Sequence, residues 1–158
     1  ELPSLPFDGT HILSSTEALC LPEVPGRLVV IGAGAIGLEL GSVWNRLGSS
    51  VLVVEMLDHI VPGMDLEMGT QLKRVLEKQG LEFLLETKAD TSEVRGGKVY
   101  LELVTGSEKR QEICDRLLVA VGRRAHSEGL SCYLTRVFAN DVERQGRKKQ
   151  ISYQHFET

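Results

Sequence analysis

No apolar run in this 158-residue chain exceeds the length of a strand, which excludes a transmembrane helix. There is no excess of basic charge either. Lys and Arg number 18 against 22 Asp and Glu, and the net charge of -4 gives no footprint for nucleic acid. Cysteine is scarce and unpaired: Cys20, Cys114 and Cys132 form no C-x-x-C or C-x4-C spacing, and their number is odd. That speaks against a disulfide framework and a zinc site and favours a reducing compartment over secretion. Each cysteine reads as a small buried hydrophobe or a bystander thiol. His11, His59, His126 and His155 are scattered without ligand spacing, so no metal is expected. The start has no basic segment followed by an apolar one, so it is not a signal peptide, and it lacks an initiator Met, as expected of a segment from a longer chain. Internal repeats and low-complexity tracts are absent.

What is present is concentrated in Arg27-Leu-Val-Val-Ile-Gly-Ala-Gly-Ala-Ile-Gly-Leu-Glu39. A short continuous apolar run, Leu28 to Ile31, reads as a parallel strand buried on both faces. It runs into Gly32, Ala33, Gly34, Ala35, Ile36 and Gly37, a G-x-G-x-x-G turn that opens a helix from Ile36 to Leu47. In such a turn the first glycine permits the bend, the second lets a pyrophosphate approach the backbone, and the third lets helix and strand pack closely. The pyrophosphate then sits on free N–H groups at the positive end of the helix dipole. A second apolar run, Val51 to Val54, ends in Glu55, placed where an acidic residue holds a ribose.

Residues 1 to 26 carry Pro3, Pro6, Pro22 and Pro25, four of the five prolines, around one helical turn at Ser14 to Leu19. They read as a connector with little core of its own. A second helix is expected from about Asp65 to Gln79, capped by Asp65, with Leu66, Leu72, Val75 and Leu76 as its inner stripe and Gly80 as its stop. A third strand follows at Leu81 to Glu86. Residues 88 to 114 then lose the helical period. Val99, Leu101 and Leu103 alternate with Tyr100 and Glu102 between turns at Arg95 to Lys98 and Thr105 to Glu108, as in an antiparallel meander. Arg116 to Gly122 returns as a buried strand, expected parallel to the first three. The fold class is therefore α/β: a three-layer, Rossmann-like parallel sheet (β-α-β-α-β) with an antiparallel β-meander replacing a crossover helix. The basic cluster Glu143 to Lys149 reads as a solvated turn, and Ile151 to Phe156 as one short strand.

The run Val29 to Trp44, the Val54-Glu55 strand end and Val119-Ala-Val-Gly-Arg-Arg124 resemble the flavin-dependent pyridine nucleotide–disulfide oxidoreductases. Within that family the match is to the dihydrolipoamide dehydrogenase branch, supported by the Ser14 to Leu19 connector, Pro62-Gly-Met-Asp65 and Thr87-Lys88. The likeness runs from about Pro6 to Leu130 and resumes at His155. It departs at Ala125, where the family usually has Pro, and between Ser131 and Gln150. The resemblance implies the NAD domain of a larger homodimeric flavoenzyme serving 2-oxo-acid dehydrogenase complexes, in cytoplasm or mitochondrial matrix. Residues 1–26 are then a connector from an FAD domain outside this chain, 27–125 the NAD-binding domain, and 126–158 a return segment towards the FAD domain. The redox-active cysteine pair, the FAD site, the dimerisation domain and its His–Glu acid/base pair all lie elsewhere in such a parent. No catalytic residue is expected in this chain, and the isolated piece is expected to bind NAD without turnover.

Glu55 is expected to accept hydrogen bonds from the adenosine ribose and to repel a 2′-phosphate, and Met56-Leu57-Asp58 offers no cation to welcome one. NAD is favoured over NADP on that ground. Glu39 is expected in the first helical turn, stabilised by the dipole and turned away from the phosphates, towards the nicotinamide end as the resemblance also implies. The plain alternative for either residue is a solvated glutamate. By resemblance Ala35 stands at the nicotinamide site, and Ala89 and Gly122 line the adenine and nicotinamide sides. Two rival readings stay open: a related flavin disulfide reductase, and a stand-alone dinucleotide-binding module without turnover. A truncated or mis-spliced product is a third, suggested by the stretch before Gln150.

Overall fold

The computed structural model describes residues 2–122, and the readings at Ala125, His126, Cys132, the 143–149 cluster, the 151–156 strand and His155 lie outside them. Strand β2 (Arg27–Ile31) is the centre of a five-stranded sheet ordered β1-β8-β2-β3-β4, with β1 at Ile12–Leu13, β3 at Ser50–Val54, β4 at Glu82–Leu84 and β8 at Arg116–Val119. All four pairings are parallel. Leu28 to Ile31 and Val51 to Val54 are each at most 5% exposed, which is why these runs are continuous rather than alternating. Every second residue of β2 faces a different layer. Leu28 and Val30 join a core with Leu38, Leu40 and Trp44 of helix α1 (Ala35–Arg46) and Leu76 of helix α2 (Leu66–Lys78). Val29 and Ile31 join a second core with Val99, Leu101, Leu103 and Cys114 of the meander.

The meander is the antiparallel sheet β5 (Thr87–Arg95), β6 (Lys98–Thr105) and β7 (Glu108–Cys114). Its wet face carries Tyr100 and Glu102, and its buried face replaces the layer a crossover helix would supply. The three-layer arrangement expected from the sequence is thus present, with β8 returning parallel beside β2.

The segment before Arg27 packs into both of these cores: Leu13 and Ala18 join the first and Leu5 and Ile12 the second, each at most 4% exposed, and Ile12–Leu13 adds an edge strand to β8. Trp44 Nε1 donates to Ala18 O at 3.0 Å, so the 3-10 turn Glu17–Leu19 is tied to α1. On α2, Asp65 caps the helix by accepting from Glu67 N at 2.9 Å, as expected, but Leu66, Leu72 and Val75 are exposed and only Gly69 and Leu76 are buried. Lys73 of the helix lies over the Phe83 ring of β4, an edge strand three residues long and shorter than the expected 81–86, so there is little sheet to cover the rest of that stripe. On α1, Val43 and Leu47 are exposed.

Candidate functional site

The carboxyl ends of β2, β3, β4 and β8 are held level by backbone bonds: Gly32 N to Val54 O, Glu55 N to Leu84 O and Ala120 N to Ile31 O, each 2.8 Å. The glycine turn rises from this edge, as ligand crevices do in doubly wound sheets. Its three glycines meet three different demands. Gly32 has φ +103, and a Cβ there would stand 2.7 Å from Ala120 O. A Cβ on Gly37 would stand 2.1 Å from Gly32 O, so the third glycine sets how closely α1 approaches its own strand. Gly34 is different. It has φ −77 and ψ 177, which any residue adopts, and a Cβ there would meet nothing within 4 Å. Neither the backbone nor the packing of this chain requires glycine at 34, and the space it leaves opens outward. This is the position at which the backbone of such a turn would be approached by a pyrophosphate.

Gly34 is also the N-cap of α1, and no side chain caps the helix. Leu38 N, bonded to Gly34 O at 3.0 Å, is the first amide with an intrahelical partner, so the N–H groups before it remain for a ligand or water.

Glu55 stands across the turn. Its Oε2 accepts from Ala33 N at 2.7 Å and its Oε1 from Leu57 N at 3.0 Å. Its own carbonyl accepts from Thr87 N at 2.9 Å, so backbone and side chain are both fixed. A carboxylate has about four acceptor positions; two amides occupy two, and two remain for a pair of ribose hydroxyls.

The other expected residues are placed as follows. Ala35 is exposed at the first position of α1, Ile36 is half-buried beside it, and Ala33 is fully buried inside the turn. Gly122 is exposed just beyond β8, two residues after the Ala120 carbonyl that packs against Gly32. Ala89 is 6% exposed and packs beneath the meander, at the irregular register between Ala89 and Thr91. Glu39 is exposed but not in the first turn: with Gly34 as N-cap and Ala35 as first residue, it falls one position beyond it. The dipole acts mainly within that first turn, so it gives the Glu39 carboxylate little stabilisation.

Sequence reasoning missed how the turn is held from its other side. Val61 N donates to Ala33 O at 2.8 Å, and Val61 has φ 46. The only local signal was the Pro62-Gly63 pair that follows. A separate concavity of about 420 Å³ lies at the opposite end of the parallel sheet, lined by His11, Glu23, Gly26, Asp115 and Arg116. Its charges are matched internally, Arg116 with Glu23 at 4.0 Å and Asp115 with Lys98. Among the described residues there is no group of acidic, His and Cys side chains able to hold a metal ion.

A family description, pyridine nucleotide-disulphide oxidoreductase, matches residues 2–149. The chain belongs to the pyridine nucleotide-disulphide oxidoreductases. It is 48% identical over 132 residues to dihydrolipoyl dehydrogenase 3 of Pseudomonas putida, covering 82% of this chain and 28% of that protein. It is 45% identical over 148 residues to the mitochondrial dihydrolipoyl dehydrogenase of Caenorhabditis elegans, covering 92% and 29%. Among solved structures it resembles the HOCl-induced flavoprotein disulfide reductase RclA of Escherichia coli, with TM-score 0.69 and 29% identity over 80% of this chain and 28% of that one. The chain therefore spans less than a third of the length of these relatives.

Proposed function

We propose that this chain is the NAD-binding part of a flavoenzyme that oxidises dihydrolipoamide to lipoamide and reduces NAD+. The observation that carries the nucleotide reading is Gly34, a glycine that nothing in the chain itself demands. The pyrophosphate is held by the turn from Gly32 to Gly37 and the first amides of α1, and the adenosine ribose by Glu55. Glu55 also selects against a 2′-phosphate, because two negative charges at contact distance repel strongly in a partly dehydrated crevice.

In the parent, FAD and a redox disulfide supply the electron relay from dithiol to NAD+, and this chain supplies neither. Its own residues bind and orient: by fixing the two phosphates and the ribose, they convert delivery of the nicotinamide into a positioned, short-range encounter. We assign residues 1–26 as the connector, 27–125 as the nucleotide domain and 126–158 as the return towards the flavin-binding part, with Ala35, Glu39 and Gly122 towards the nicotinamide and Ala89 towards the adenine. The parent is a homodimer in 2-oxo-acid dehydrogenase complexes of the cytoplasm or mitochondrial matrix. The likeness to a flavoprotein disulfide reductase supports one other reading, the nucleotide domain of a related reductase with a different electron donor.

Fluorescence titration of the 158-residue chain with NADH and NADPH tests the proposal. Saturable NADH binding, tighter than NADPH, is expected, with no dihydrolipoamide oxidation by the chain alone. Absence of saturable binding of either nucleotide overturns it, and preference for NADPH moves the assignment to the related reductase.

A further inference from the structure

Val61 occupies the left-handed region at φ 46, against two local rules. A β-branched side chain is a rare occupant of that region. A residue before proline, here Pro62, is pushed towards extended backbone. Such a conformation persists only where the surroundings over-determine it, and strained residues of this kind gather at ligand clamps. Here the surroundings are specific. The Val61 side chain is 7% exposed, within the core beneath α1 and α2. Its carbonyl accepts from Met64 N at 3.1 Å, closing a turn that Gly63 (φ 94) redirects into the Asp65 cap. Its N–H is thereby aimed at Ala33 O, 2.8 Å away.

Ala33 stands between Gly32 and Gly34, two residues with no side chain to restrain them. Both of its polar backbone groups are taken: the N–H by Glu55 Oε2 and the carbonyl by Val61 N. We propose that Val61 is a positioning residue for the phosphate turn, acting through Ala33 to hold the Gly34 and Ala35 amides in the orientation that receives a pyrophosphate. The inference rests on the nucleotide reading and adds to it a residue that touches no part of the ligand. Coupling of this kind is reciprocal, so a ligand that orders the turn also protects the Val61 bond.

Two measurements on the 158-residue chain test this. The first is amide hydrogen exchange at Val61, with and without saturating NADH. Slowing by about tenfold or more is expected, and unchanged exchange in a chain shown to be saturated overturns the inference while leaving the nucleotide reading intact. A chain that binds no NADH defeats both. The second compares Val61→Gly, which keeps the N–H and adopts φ 46 freely, with Val61→Pro, which removes the N–H and locks φ near about −65°. NADH affinity within about twofold of the parent is expected for Val61→Gly, whatever its melting temperature, and a loss of about tenfold or more for Val61→Pro. Affinity that instead follows melting temperature across the two variants marks a merely structural role and overturns the inference. If Val61→Pro does not fold, the exchange measurement decides alone.

Discussion

The Glu55 carboxylate accepts the Ala33 amide at 2.7 Å, joining the end of β3 to the inside of the glycine turn before any nucleotide arrives. The residue that would hold the ribose therefore also shapes the turn that would hold the phosphates. Replacing Glu55 must change two things at once, and the substitutions can separate them. Glu55→Gln keeps a carbonyl acceptor for Ala33 and is expected to preserve folding while weakening NADH binding. Glu55→Arg is expected to reverse the preference towards NADPH and to lower stability by about 1–3 kcal/mol, because a buried amide loses a charged acceptor. Titration of both nucleotides with each variant checks this, and an unchanged NAD preference in Glu55→Arg would sink the assignment.

Gly34 and Gly37 should respond to alanine in opposite ways. At 37 the new methyl would lie 2.1 Å from Gly32 O, so α1 must shift from its strand. A cost of about 3 kcal/mol or more is expected, read as a large fall in melting temperature. At 34 the methyl meets nothing in the chain, and the melting temperature is expected to stay put. NADH affinity in Gly34→Ala should nevertheless fall by at least about tenfold, equivalent to about 1.4 kcal/mol. A destabilised Gly34→Ala, or one that binds normally, contradicts the site.

Arg27 ties three separate strands together at the other end of the sheet. Its guanidinium meets Glu82 of β4, Ser50 of β3 at 2.6 Å and Glu112 of β7 at 2.9 Å. The hydrogen bond from Arg27 holds the Glu82 carboxyl below its ordinary value, against the opposing effect of burial. Lys98 does the same for Asp115, which also accepts from Arg27 N at 2.7 Å. Depressed carboxyls stabilise the fold above their unfolded values of about 3.9 and 4.3 and lose that contribution as pH falls through the lower folded values. The melting temperature is expected to drop between about pH 4.5 and 3, and less steeply in Arg27→Met. At neutral pH that variant should lose about 1–2 kcal/mol, kept modest because Glu82 is half exposed. A pH series of melting curves on both proteins checks the sign.

The two described cysteines should differ in reactivity. Cys20 is exposed, whereas Cys114 is buried and its thiol is pushed up to about 12, chiefly by burial. In a Cys132→Ser chain, a thiol reagent at pH 8 is expected to titrate one sulfhydryl in the native protein and two in denaturant. Because the folded thiol holds its proton more tightly, stability should also fall as pH rises from about 9 towards 12. Two rapidly reacting thiols in the native chain would contradict the buried position.

Most of the fold was legible because its signals are local. Leu28 to Ile31 and the glycines after it announce strand, turn and helix within a dozen residues, and Asp65 and Gly80 mark the ends of α2 as expected. The alternation at Val99, Leu101 and Leu103 marks one buried face, and the structure covers that face with β2 and β8. The inner stripe of α2 was misread for a reason of the same kind. Period shows that Leu66, Leu72 and Val75 lie at helical spacing, but not that the sheet stops at a three-residue β4 beside them.

By itself the sequence determined the order of the elements and the residue types at the phosphate turn, because backbone preference and spacing act over a few neighbours. Only the tertiary structure decided how that turn is held. Ala33 is gripped by Glu55 from 22 positions away and by Val61 from a conformation that its own β-branch and the following proline oppose. Arg27 likewise finds Glu112 across 85 positions. These are contacts between segments that share no local code, made when the layers close and bring the ends of separate strands together.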